Sequence, residues 1–180
     1  MWTDDDLPSD VEPLVIAAGS EWETRVIDAR RHHTWSQSSG TRRPGPSGAI
    51  HWHHTCGPIP SGPVSEVLDD LVAEATRARY GLPYNFVVTP GDDPWVVYLN
   101  DVDGMWPHTL GRNDQTAIAL CGNYDALIPR QAEVALMWRL SHALMTMWGR
   151  DIHILGHRET SATACPGYYI YRALCDLRAG

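Results

Sequence analysis

Short apolar segments with the composition of β-strands alternate irregularly with longer segments of helical spacing, and this alternation restricts the possible folds most. Strand-like segments run from Ala49 to Thr55, Tyr84 to Val88, Trp95 to Leu99, Thr116 to Cys121 and His153 to Leu155. Helix-like segments run from Ser65 to Tyr80, Pro129 to Gly149 and Gly167 to Leu177. Patterns mixed in this way predict a mixed α/β fold, with a central mixed sheet of about five to six strands flanked by about three helices.

The first 45 residues have a different character from the rest. Ser9-Asp10-Val11-Glu12 has the pattern of a capping box, and Gly19 follows as a stop, so this segment predicts a short helix. Residues 36–48 are rich in Gly, Pro and Ser, which predicts a loop. We therefore predict an N-terminal extension, residues 1–45, that precedes or packs on a main domain, residues 46–180.

Composition excludes several function classes. The net charge of -8 argues against a nucleic-acid partner, because phosphate binding needs a cationic surface. All 14 basic residues are Arg, so Schiff-base, lysine-base and P-loop chemistry are excluded. No apolar run approaches the roughly 20 residues that span a bilayer. The first thirty residues lack the pattern of a signal peptide, so no export signal is expected.

The chain has nine histidines, and two groups of them fall on predicted strands or just after them, His51 with His53 and His54, and His153 with His157. Side chains alternate along a strand, so His51 and His53 share one face and His54 takes the other, and either face can bind a metal ion. Cys165 lies eight positions after His157, and the residues between them are small or polar, which indicates a loop. Imidazole and thiolate suit zinc, and a hydrolytic zinc site needs three protein ligands.

Five short islands of sequence give these residues a context. In chain order they are Ile50-His51-Trp52-His53-His54-Thr55, Pro83-Tyr84-Asn85-Phe86-Val87-Val88, His108 with Gly111 and Asn113, Ile118 with Gly122-Asn123-Tyr124, and Gly156-His157-Arg158-Glu159 followed by Cys165-Pro166-Gly167. Together they resemble the zinc amidase family that includes peptidoglycan recognition proteins and amidase-type phage lysozymes. The resemblance covers residues 49–175 and implies a fold like that of peptidoglycan recognition proteins.

The resemblance also implies a reaction and its metal site. The activity expected is zinc-dependent N-acetylmuramoyl-L-alanine amidase, which hydrolyses the amide between N-acetylmuramic acid and L-alanine in peptidoglycan. His53, His157 and Cys165 match the ligands of one zinc ion per chain.

Other positions match residues that act beside the metal. Tyr84 and Thr163 match catalytic positions, where a hydroxyl can donate to a developing oxyanion. His54, His108 and Asn113 match positions that contact substrate. Asn85 departs from the family, which more often has His there, so any role at that position becomes that of a neutral group.

Four neighbours of these positions are rival candidates. His51 falls two positions early for the ligand and is predicted to be structural. The turn at Gly57 is expected to carry Cys56 away from the site. His153 is predicted to lie on a strand, where i, i+4 spacing does not make a metal pair, and Glu159 is predicted to accept hydrogen bonds within its own loop.

Two other functions stay open, together with the biological setting. A peptidoglycan-binding module without catalysis is one alternative, and a hydrolase that uses the Cys165 thiol is the other. The setting expected is a phage endolysin, a monomer held in the host cytoplasm until membrane lysis lets it reach the cell wall. A cytoplasmic amidase of wall recycling is the alternative setting.

Overall fold

The computed structural model describes residues 12–17, 23–36, 41–42, 47–60, 62 and 64–180. The strands in these ranges are β1 (Glu12–Ala17), β2 (Glu23–Asp28), β3 (Thr41–Arg42), β4 (Ala49–His54), β5 (Phe86–Val88), β6 (Val96–Tyr98), β7 (Gly104–Met105), β8 (Thr116–Leu120) and β9 (His153–Gly156). The helices are α1 (Val64–Arg77), α2 (Gln131–Trp148) and α3 (Tyr168–Ala179), and His157–Glu159 form a 3-10 turn.

Seven of the strands form one mixed sheet in the order β1-β2-β6-β5-β8-β4-β9. The pairs β2-β6, β5-β8, β8-β4 and β4-β9 are parallel, whereas β1-β2 and β5-β6 are antiparallel. Strands β3 and β7 pair separately. The predicted mixed α/β class and the three predicted helices are confirmed, and the sheet exceeds the predicted count because β1 and β2 join it.

The prediction of a helix between Ser9 and Gly19 is wrong for the residues that the structure describes, because 12–17 form a strand. The run Leu14-Val15-Ile16 favours β structure, and pairing with β2 along the whole of β1 outweighs a capping signal. Both faces of β2 are covered, since Val26 and Ile27 are buried in opposite cores. A division at residue 45 stays a prediction, and β1 and β2, which precede residue 45, lie in the same sheet as β4 and the strands that follow it.

Each face of the sheet carries its own hydrophobic core. Helices α2 and α3 cover one face, where Trp52 and Ile118 are fully buried. Helix α1 covers the other face, and its Leu68 packs with Val87 and Ala119. Strand β4 lies between the two cores, and all six of its side chains are buried.

The pairing of β4 with β8 decides which face its histidines take. His53 lies opposite Ala119, which belongs to the core under α1, and His51 lies opposite Ala117. Because side chains alternate, both histidines face the α1 side, whereas Trp52 and His54 face α2. None of the helices that the structure describes is long and apolar enough to cross a lipid bilayer.

Candidate metal centre

His53, His157 and Cys165 converge on one point, with all their ligand atoms within 4.8 Å of one another. Trp52 of β4 pairs with Gly156 of β9, so the residues that follow, His53 and His157, lie side by side with ring centroids 4.5 Å apart. The backbone N–H of Arg158 donates to the carbonyl of Cys165 at 3.0 Å, which brings the loop back to the strand ends. Strand pairing and this loop closure together assemble the group.

The distances within the group fit a tetrahedral zinc ion. Nδ1 of His53 lies 3.6 Å from Sγ of Cys165. Zinc–nitrogen and zinc–sulfur bonds of ordinary length at a tetrahedral angle put the two ligand atoms about 3.6 Å apart. The backbone N–H of His54 also points to the sulfur, at 3.5 Å, and such a donor stabilises a thiolate.

Burial holds all three groups in their neutral forms when no cation is present. It lowers the pKa of His53 well below the ordinary value and lowers the pKa of His157 to about 4, and neighbouring histidines act in the same direction. It raises the pKa of the Cys165 thiol to about 12. A divalent cation reverses the shift on the thiol, because it supplies the positive charge that a buried thiolate needs. Two neutral imidazoles and one thiol are thus a donor set suited to zinc.

Tyr84 lies against the group from the loop that enters β5. Its ring centroid is 5.2 Å from that of His53, and its hydroxyl donates to the backbone carbonyl of His54 at 3.3 Å. Burial raises the pKa of the Tyr84 phenol well above its ordinary value, so the hydroxyl stays protonated. The side chain is therefore a neutral hydrogen-bond donor beside the candidate metal ligands.

Thr163 lies on the exposed loop that leads to Cys165. The backbone N–H of Cys165 donates to the Thr163 hydroxyl oxygen at 3.2 Å. Because the threonine oxygen accepts this bond, its own hydrogen remains available to donate to another group.

The three residues predicted to contact substrate occupy different environments. His54 is 1% exposed, and its Nδ1 accepts a hydrogen bond from the backbone N–H of Tyr124 at 2.9 Å. His108 is 6% exposed, and its Nδ1 lies 3.3 Å from Nε2 of His53. Asn113 is exposed on the loop before β8. The substrate contacts of all three stay predictions, and burial favours Asn113 over the two histidines.

The rival candidates lie outside the converging group. His51 is fully buried, and its Nε2 bonds the side-chain oxygen of Gln115, so its predicted structural role is confirmed. Cys56 is exposed and His153 is exposed on β9. Glu159 accepts a hydrogen bond from the N–H of Gly156 at 2.7 Å, which confirms its predicted local role.

Arg178 and Asn85 have structural roles that sequence reasoning missed. Arg178 of α3 pairs with the same Glu159 oxygen at 2.8 Å and ties the helix to the site loop. Asn85 is fully buried, where its amide donates to the carbonyls of Asn100 and Asp101 and its oxygen accepts from the N–H of Ala117. Only the departure from the family's histidine singled out Asn85, and no local pattern marked Arg178.

Known proteins resemble this chain in sequence and in fold. No family model matches the chain. An N-acetylmuramoyl-L-alanine amidase of Homo sapiens is 30% identical over 144 residues, which are 73% of this chain and 24% of that protein. An N-acetylmuramoyl-L-alanine amidase of Sus scrofa is 28% identical over 141 residues, which are 72% of this chain and 23% of that protein. The chain thus spans about a quarter of the length of the two relatives.

Solved structures share the fold over most of the chain. Drosophila PGRP-LB superposes with a TM-score of 0.70 at 18% identity and covers 83% of this chain and 91% of its own. An endolysin of a Thermus scotoductus bacteriophage superposes with a TM-score of 0.64 at 20% identity and covers 84% of this chain and 97% of its own. With these relatives, this fold and a converging histidine, histidine and cysteine, the chain belongs to the N-acetylmuramoyl-L-alanine amidase family, which shares its fold with peptidoglycan recognition proteins.

Proposed function

We propose that this protein is a zinc-dependent N-acetylmuramoyl-L-alanine amidase that hydrolyses the amide between N-acetylmuramic acid and L-alanine in peptidoglycan. The observation that carries the proposal is the convergence of the donor atoms of His53, His157 and Cys165 within 4.8 Å. The name of the two mammalian relatives supports the reaction. A structure of Drosophila PGRP-LB in complex with tracheal cytotoxin has the same fold as this chain and supports a ligand from the same class.

The three side chains would hold one zinc ion per chain and leave one position of a tetrahedral site open. When bound, the ion supplies Lewis-acid polarisation of the substrate carbonyl and makes a water molecule acidic near neutral pH. One thiolate and two neutral imidazoles leave the centre with a net positive charge, which suits an oxygen that gains negative charge during the reaction.

The side chains around the ligands would stabilise that oxygen and orient the substrate. The Tyr84 hydroxyl lies beside His53 and would exchange its bond with the His54 carbonyl for one to the developing oxyanion. Thr163 keeps a hydroxyl hydrogen to donate and would assist Tyr84. Asn113 would contact the substrate from the exposed loop before β8.

A thiol-dependent hydrolase is the weaker alternative on physical grounds. Such an enzyme needs a thiolate paired with an imidazolium near neutral pH. Burial favours the neutral forms of both groups instead, since it raises the pKa of Cys165 and lowers those of His53 and His157. The complete donor set likewise favours catalysis over a module that only binds muropeptides.

Digestion of purified peptidoglycan with the full chain tests the reaction and the metal together. We expect mass spectrometry to find free stem peptides that begin with L-alanine, to lose them with a chelator and to recover them with added zinc. Release of peptides that a chelator does not stop but a thiol-alkylating reagent does would favour the thiol-dependent alternative. Binding of muropeptides by a protein that holds no metal and releases no peptide would favour the binding module.

We also propose that the protein acts as a monomeric phage endolysin. Two structural neighbours support this setting, an endolysin of a Thermus scotoductus bacteriophage and an endolysin amidase from Clostridium intestinale. Production inside bacteria should then be tolerated until the membrane is permeabilised, and lysis should follow at once. Lysis without permeabilisation, or no lysis at all, would instead favour a role in wall recycling. Light scattering after size exclusion measures the oligomeric state.

A further inference from the structure

The backbone carbonyl of Gln115 determines which ring nitrogens carry the protons in two buried histidines that contact each other, His108 and His53. Nε2 of His108 lies 2.8 Å from this carbonyl oxygen, which can only accept a hydrogen bond. His108 must therefore carry a proton on Nε2, and a neutral ring then has its lone pair on Nδ1. This assignment does not depend on how the Gln115 side-chain amide is oriented, because the contact is made by the backbone.

The lone pair of His108 in turn selects the proton position on His53. Nε2 of His53 lies 3.3 Å from Nδ1 of His108, and the Thr109 hydroxyl oxygen lies 3.0 Å from the same nitrogen. Two lone pairs that face each other repel, so Nε2 of His53 must be the protonated nitrogen. The lone pair of His53 is then on Nδ1, the nitrogen that lies 3.6 Å from Sγ of Cys165.

Because both rings are buried, a different arrangement of hydrogen-bond donors and acceptors would cost free energy. His53 is 1% exposed and His108 is 6% exposed, so water does not readily replace a lost partner on either ring. A buried N–H without an acceptor carries the full cost of its desolvation. In the opposite tautomer, His53 would direct an N–H at the metal position, where a ligand needs a lone pair.

We infer that His108 is a positioning residue for the metal site. It holds the His53 ring so that the Nδ1 lone pair of His53 points at the ion, and the Gln115 carbonyl fixes the proton on His108. The inference rests on the proposed function, because it takes His53 to be a zinc ligand. It assigns His108 a different task from the substrate contact that the family resemblance implies. A partner of this kind orients a ligand ring and raises its basicity.

Two substitutions of nearly equal size separate this role from packing. The oxygen of Asn in His108→Asn can stand where Nδ1 of His108 stands and accept from His53, whereas Leu in His108→Leu cannot. We expect zinc affinity, measured on the full chain by competition with a fluorescent chelator, to fall about 10- to 100-fold in His108→Leu and to stay within about threefold in His108→Asn. The matched control His153→Leu, at an exposed position on β9, should bind zinc as the unaltered protein does.

Unchanged zinc affinity in a folded His108→Leu protein would overturn the inference, and so would an equal loss in both His108 variants. A rise in KM for muropeptide with zinc affinity unchanged would instead assign His108 to substrate contact. Failure of the unaltered protein to bind zinc or release peptides would refute the proposed function, and proton positions on the rings can be measured even then.

Nitrogen-15 NMR of the metal-free, unaltered protein provides that measurement and covers the case in which His108→Leu does not fold. We expect both His53 and His108 to carry their proton on Nε2, seen from the chemical shifts of the ring nitrogens. A proton on Nδ1 of His53, or a doubly protonated His108 that donates from Nδ1, would overturn the inference.

Discussion

The two faces of β4 separate the chemistry of the site from the stability of the fold. On the α1 face, His51 and His53 are buried among other polar groups, and burial lowers the pKa of both. On the α2 face, Trp52 lies in the hydrophobic core, its Nε1–H donates to the Ser141 hydroxyl at 3.0 Å, and its ring packs edge-on against Trp138. One six-residue strand thus carries a proposed metal ligand on one side and a central core residue on the other.

Equal burial of two side chains does not mean that they contribute equally to the stability of the fold. His53 and Trp52 are both almost fully buried. The desolvation of an imidazole is only offset by its hydrogen bonds, whereas burial of an indole ring is a net gain. Substitutions on the two faces should therefore affect different quantities.

His53→Ala should have the largest effect on activity and a small one on folding. Loss of one of three ligands should remove bound zinc and reduce peptide release below detection. Elemental analysis and the peptidoglycan digest measure the two losses, with His153→Ala as the matched control. Retained zinc with full activity would remove His53 from the ligand set. Unfolding of the metal-free His53→Ala protein would show that the α1 face of β4 also stabilises the fold.

Trp52→Ala should reverse that pattern. Truncation of a fully buried indole costs about 3–5 kcal/mol of unfolding free energy, a large part of an ordinary domain's stability. Urea denaturation of the metal-free protein measures the loss, and Trp138→Ala, at a partly buried position that packs on the same core, should cost less. The Trp52→Ala protein that remains folded should bind zinc normally, so a specific loss of zinc affinity there would contradict the separation.

Tyr84→Phe should separate catalysis from metal binding within the site itself. Only a hydroxyl is removed, so zinc content and stability should stay close to those of the unaltered protein. Loss of one donor to an oxyanion lowers kcat by about 100- to 1,000-fold. Steady-state rates on a soluble muropeptide measure the change, and an unaltered kcat would exclude Tyr84 from the reaction.

The sequence predicted the main elements of the sheet because their patterns are local. Strands β4 and β8 and helices α1 and α2 lie where alternation, helical spacing and glycine stops placed them. Strand β1 was missed because its stability comes from pairing with β2, which no local pattern reveals. In residues 12–17, strand pairing stabilises β structure more than the capping signal stabilises a helix.

The ligand trio was predicted from the family resemblance, and strand pairing explains why it assembles. Spacing alone left both faces of β4 open, and only the pairing of Trp52 with Gly156 brings His157 beside His53. The contact of Gln115 with His108 was not predictable, because it joins a loop carbonyl to a loop ring without any motif. The sequence thus indicated the candidate metal ligands, and the tertiary structure indicates which neighbouring residues are placed to orient them.

The smallest effect expected on the α1 face is a loss of unfolding free energy at acid pH. Burial lowers the pKa of His157 to about 4, against an ordinary value of 6.5 that the unfolded chain keeps. Between these values the unfolded state binds more protons, so the unfolding free energy of the metal-free protein falls as pH falls from about 6.5 towards 5. Partial exposure of His157 keeps its share of this loss small.

Urea denaturation across that pH range should give a shallower slope of unfolding free energy against pH for His157→Gln than for the unaltered protein. His153→Gln, at an exposed position, should keep the original slope. Equal slopes in all three proteins would mean that His157 does not contribute to the acid sensitivity of the metal-free fold.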